Sequence, residues 1–109
     1  HRRTMREERI AKLKALLARE SNDSFSRYAL ALEYVGANDL AQALTLLEDL
    51  VQRDQSYVPA YQQLGYLFQK LGRREEAVSA FRRGMEIAAH QGDDHARSEM
   101  QDAIDDMES

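Results

Sequence analysis

His90 and His95 bracket a break at Gly92 with Asp93 and Asp94 between them, and those are ligand types a divalent metal would take. Helical ligand pairs need a spacing of three or four to share a face. These histidines stand five apart across a turn, so they read as solvent-facing polar residues at helix ends. The third histidine, His1, belongs to the four residues that precede Met5, which are read as an addition or as upstream sequence and left out of the functional reading. Ser56, Ser79 and Ser98 lack the glycine-flanked elbow that exposes a nucleophile, and no glycine-rich loop is present to cradle a phosphate. Glu75 and Glu76 open a helix, where its dipole favours negative charge. The expectation is a non-enzymatic chain with no catalytic residues, no cofactor and no metal.

Arg73-Arg74 and Arg82-Arg83 are the remaining candidates, as two basic pairs nine residues apart that could track a phosphate backbone. The charge around them argues otherwise, since the 109 residues sum to −4 with a pI near 5.3. Residues 1–20 carry seven basic groups (Arg2, Arg3, Arg6, Arg9, Lys12, Lys14, Arg19) against Glu7, Glu8 and Glu20, a local balance of +4. Residues 92–109 carry Arg97 against seven acidic groups, a local balance of −6. The chain is a dipole with no continuous basic surface, so no nucleic-acid partner is expected. No apolar run approaches the roughly 20 residues needed to span a bilayer, and no membrane partner is expected. The absence of cysteine excludes a disulfide scaffold, and the charged opening residues carry no signal-peptide pattern, which favours the cytoplasm.

The elements that would position these groups are helices. Alanine and leucine supply 28 residues, whereas valine, isoleucine and threonine supply nine. Unbranched side chains keep their rotamers in a helix, and β-branched ones favour strands. A chain of this length suits one all-α domain with a thin core.

Sliding the sequence by 34 brings matching chemistry into register. Leu30 meets Leu64, Ala31 meets Gly65, Tyr34 meets Phe68, Ala43 meets Ala77, and Leu47 meets Phe81. Small residues fall where two helices would approach closely, and large ones fill the space beside them. Asn38 in the left-handed conformation and Asp39 as a cap would turn the first hairpin, and Gly72 would turn the second. Pro59 suits the first turn of a helix, where its missing N–H costs nothing.

A 34-residue helix–turn–helix unit resembles the tetratricopeptide repeat. Residues 58–91 carry the pattern in Tyr61, Leu64, Gly65, Phe68, Gly72, Ala77, Phe81 and Gly84, with Ala89 in place of the terminal proline. Residues 24–57 carry it in Leu30, Ala31, Tyr34 and Ala43, with Arg27 replacing the bulky first residue, Asn38 the turn glycine, Leu47 the second aromatic, Leu50 the last small residue and Gln55 the proline. The resemblance implies a right-handed α-solenoid of about six helices. Its layout would be an N-terminal helix in 1–23, repeats at 24–57 and 58–91, and a capping helix in 92–109. Ile10, Leu13, Leu16 and Leu17 would form the apolar stripe of the first helix, and Ala96, Met100, Ala103, Ile104 and Met107 that of the last.

In proteins of that family the first helix of each repeat lines a concave groove that holds peptide segments. Carried over by repeat position, the resemblance implies a groove of Phe25, Tyr28, Leu32 and Val35 from the first repeat and Gln62, Tyr66, Gln69 and Lys70 from the second. The implied function is a protein interaction module, an adaptor or scaffold that binds a peptide segment of a protein partner. The alternative is a structural subunit, a homo-oligomer joined through its groove or its oppositely charged ends.

Overall fold

The computed structural model describes residues 2–109, so His1 lies outside the described residues. Among them are six helices and no strand: α1 Met5–Arg19, α2 Ser24–Gly36, α3 Leu40–Arg53, α4 Val58–Lys70, α5 Arg74–Gln91 and α6 Asp94–Glu108. They divide into two compact units, His1–Gln55 and Ser56–Ser109, where length alone suggests one domain. In a repeat chain each helix packs on its neighbours in sequence, so the fold separates readily between hairpins. Each unit holds three helices. The first has a leading helix and a hairpin, and the second has a hairpin and a trailing helix.

Local chemistry sets the ends. Thr4 closes a capping box on α1, its hydroxyl accepting from the Glu7 N–H at 3.1 Å while its own N–H donates to Glu7 Oε1 at 2.8 Å. Asp23, Asp39 and Asp93 cap α2, α3 and α6 through the N–H groups of Ser26, Gln42 and Ala96. Asn38, Gly72 and Gly92 stop α2, α4 and α5 in the left-handed region, with φ of 58°, 73° and 71°. At each stop the next residue's N–H reaches back five positions: Asp39 to Tyr34, Arg73 to Phe68, and Asp93 to Ala88. That bond satisfies a carbonyl the helix end would otherwise leave open.

In the first unit Leu30, Ala31 and Tyr34 of α2 bury against Ala43, Leu47 and Leu50 of α3. Arg27 is buried with them at 7% exposure, in the place that Tyr61 holds in the second unit. Its Nη1 donates to the Ser21 carbonyl at 2.6 Å, and its Nε lies 3.3 Å from Asp49 Oδ2 without a directed hydrogen bond. Helix α1 packs chiefly on α2 and buries no residue fully. Ile10, Leu13 and Leu17 are half-buried, whereas Leu16 departs from the expected stripe and stays 44% exposed. It points away from α2, the helix α1 chiefly rests on.

In the second unit α5 is the central element, packed on α4 and on α6. Phe81, Ala88, Ala96, Met100, Ala103 and Ile104 form one buried cluster with Val58. Gly84 lies where both neighbours approach, since a Cβ there would stand 2.9 Å from Tyr61 Cβ and 2.7 Å from Met100 Sδ. Neither repeat keeps the terminal proline, with Gln55 and Ala89 in its place, yet α5 runs to 18 residues against 14 for α3 and stops only at the left-handed Gly92. The cap of α6 therefore falls at Asp93, 36 positions after Tyr57, whereas Tyr57 follows Asp23 by 34.

Candidate functional site

Counting from the caps at Asp23, Tyr57 and Asp93 puts α2, α4 and α6 on one scale. The third, seventh and eleventh positions are buried in all three: Ser26, Leu30 and Tyr34; Ala60, Leu64 and Phe68; Ala96, Met100 and Ile104. The fourth and eighth positions face the hairpin partner and are buried in the first two helices, as Arg27 and Ala31, then Tyr61 and Gly65. In α6 they are Arg97 and Gln101, both exposed. Helix α6 thus carries exposed polar residues at the positions where the other two meet a second helix.

A third face is left on each helix, and it holds the residues implied by repeat position. On α2 these are Phe25, Tyr28, Leu32 and Val35, spaced i, i+3, i+7 and i+10 along one stripe. Phe25 is 69% exposed and the other three are half-buried. On α4, Gln62 is half-buried, Gln69 and Lys70 are exposed, and Tyr66 packs its ring edge-on to Phe81 at 5.2 Å between centroids. The Gln62 amide reaches the Tyr66 hydroxyl at 3.4 Å. Tyr66 is therefore part core and part surface. The eight residues fall four to a unit, and within each unit they share a face.

Residues of α6 that the repeat pattern did not single out join the α4 set. Tyr66 and Gln69 line one wall of an open cleft of about 290 Å³, and Glu99, Asp102, Ala103 and Asp106 line the other. The signal was present in the sequence as three carboxylates at i, i+3 and i+7, one face of a helix. Among the described residues neither Asp102 nor Asp106 makes an ion pair, and Glu99 meets only the exposed His95 at 3.1 Å. Helix α6 has no basic residue in its last turn to offset its negative end.

The basic segment is used differently. Arg6 and Arg9 both reach Glu33 on α2, at 3.3 and 2.9 Å, and the Glu33 carboxyl is held below its ordinary range first by the hydrogen bonds from Arg9. Lys14 lies over the Tyr34 ring at 5.8 Å. Three of the seven basic groups of residues 1–20 thus fasten α1 to α2. On α5, Arg73 pairs with Glu76 and Arg83 with Glu86, so the two arginine pairs are half neutralised along their own helix. Among the described residues no group of three or more histidine, aspartate or glutamate side chains could hold a metal ion, and no helix is long and apolar enough to cross a membrane.

Comparison with known proteins gives a consistent result. A family model described as tetratricopeptide repeat matches residues 3–90. The TPR repeat-containing protein PA0015 of Pseudomonas aeruginosa is 31% identical over 91 residues, which covers 84% of this chain and 87% of that one. The crystal structure of a tetratricopeptide repeat domain protein from Salinibacter ruber is 40% identical, with a TM-score of 0.75 over 79% of this chain and 96% of that chain. Protein BPP2914 from Bordetella parapertussis is 26% identical, with a TM-score of 0.76 over 94% of this chain and 86% of that chain.

Proposed function

This chain belongs to the tetratricopeptide repeat family, and from that premise we propose that it is a non-enzymatic adaptor or scaffold that binds a peptide segment of a partner protein. Folds of this family generally mediate protein–protein interaction. Each unit offers its own binding stripe, Phe25, Tyr28, Leu32 and Val35 on α2 of the first and Gln62, Tyr66, Gln69 and Lys70 on α4 of the second. The observation that carries this reading is Phe25, a phenylalanine 69% exposed at the head of an apolar stripe. Aromatic anchors of this kind dominate peptide recognition, because a rigid ring contributes large area at small entropic cost. A bacterial setting is supported by the relatives.

Selection of twelve-residue peptides from a random displayed library against the immobilised chain tests the proposal. Binders are expected whose affinity falls about tenfold, or about 1.4 kcal/mol, in Phe25→Ser and in Leu32→Ala. Because Phe25 is exposed, Phe25→Ser leaves the thermal melt of the helices in place. A library that yields no binder, or binders indifferent to both substitutions, overturns the reading.

A further inference from the structure

We propose that the cleft between α4 and α6 receives helix α1 of a second copy of this chain, so that copies associate head to tail. The inference goes beyond the peptide reading: Phe25 and Leu32 take no part in it, and the two share only Tyr66 and Gln69.

Helix α1 has two unlike faces. Arg6, Arg9, Ile10, Leu13, Lys14 and Leu17 serve the contact with α2, by ion pairs, ring contact or partial burial. The other face carries Met5, Lys12, Leu16 and Arg19, all exposed, with Met5 at 76%. Among the described residues Lys12 and Arg19 make no ion pair. Lys12 and Arg19, seven residues apart with a leucine between them, make that stretch of the face basic at both ends and apolar in the middle, with the exposed Glu8 one turn before it.

The cleft is the counterpart of that face. Glu99 and Asp106 are also seven residues apart, which is about 10.5 Å along either helix. With α1 of one copy antiparallel to α6 of the other, Arg19 comes opposite Glu99 and Asp102, and Lys12 comes opposite Asp106. Leu16 then meets Ala103 and the Tyr66 ring, the least polar part of the lining. Four carboxylates elsewhere, Glu33, Asp49, Glu76 and Glu86, pair with arginines of their own chain. Asp102 and Asp106 repel one another at i, i+4 near the negative end of their own helix. A cationic helix relieves both effects, and this chain carries one. Because the two surfaces differ, each copy that docks leaves one of each kind open, and the contact propagates.

Sedimentation velocity of the full chain tests the proposal. At low salt and rising concentration, species larger than the 12.5 kDa monomer are expected, and 0.5 M NaCl disperses them because the Debye length falls to about 4 Å. The pair Lys12→Gln with Arg19→Gln, and the pair Asp102→Asn with Asp106→Asn, each give a folded monomer by circular dichroism. Mixed, the two variants form a one-to-one dimer and stop there, since each supplies the single surface the other lacks. A chain monomeric at every salt and concentration overturns the proposal. So does association that either pair leaves intact, or a mixture of the two variants that stays monomeric.

Discussion

A methyl group added at Gly65 would stand 2.5 Å from Cδ1 and Cζ of Phe81, well inside contact distance. Position 65 is therefore glycine because position 81 is phenylalanine. At the same two positions of the 34-residue period the first hairpin carries Ala31 and the smaller Leu47, both fully buried. The two hairpins divide the volume at these positions differently.

Gly65→Ala is accordingly expected to cost about 1 to 3 kcal/mol by overpacking. The double variant Gly65→Ala with Phe81→Leu copies the residues of the first hairpin and is expected to recover most of that loss. Urea titration of the four members of the cycle checks this, and additive losses would count against the coupling of the two positions.

Glu33 makes the hold of α1 pH-dependent. Its carboxyl is depressed by the hydrogen bonds from Arg9, then by the charge of Arg9 and the contact with Arg6, so its contribution is complete above the ordinary glutamate value of about 4.3 and lost as pH falls through the folded value. The protection factors of the α1 amides, taken against the unstructured-chain rate at each pH, are expected to fall below about pH 4 in the native chain. In Glu33→Gln the same amides exchange fast already at pH 7. Glu7, held low by its bonds to Thr4, acts in the same direction at the start of α1, so the difference between the two proteins is the quantity to read.

Arg27 contributes little net stability despite its contacts. It is buried with its Nε lacking a directed hydrogen bond, and its one ion partner, Asp49, is half-buried and shared with Arg53 at 3.0 Å. Desolvation of a guanidinium consumes what such a contact supplies, and apolar replacements of similar volume are often neutral or stabilising. Arg27→Met is expected to change the melting midpoint by a few degrees at most, or to raise it. Arg27→Ala, which leaves a cavity, is expected to cost about 2 kcal/mol.

Restoring the family proline tests the extra turn of α5. Ala89→Pro removes an N–H inside a helix that continues to Gln91 and sets a ring against the turn before it, at a cost of about 3 kcal/mol. A cooperative melt that loses its sharpness while α4 stays protected would place the damage at the α5–α6 junction.

The helices were legible in the sequence because caps, turn residues and the 34-residue spacing act locally and agree with one another. Thr4, Asn38, Asp39, Gly72 and Pro59 stand in the conformations their chemistry requires. Leu16 was misread because a helical stripe gives a direction and not a neighbour. On a helix with one main packing partner, an apolar residue pointing the other way finds water. The acidic wall of the cleft escaped notice for a related reason. A sum of charges over residues 92–109 does not say which carboxylates share a face with Tyr66, and only the packing of α6 against the hairpin brings them there. The partial burial of Tyr66 against Phe81 is likewise a matter of depth, which spacing does not encode.

The two-residue lag of α6 has a consequence for building with this chain. A 34-residue cassette spliced after Tyr57 would find its start and its end in phase with what precedes and follows it, since the caps at Asp23 and Tyr57 stand one period apart. Joined after Gln91, the same cassette would be followed by a cap two residues later than its period expects, at Asp93. Inserts at the middle keep the period of the repeats, and inserts at the α5–α6 junction do not.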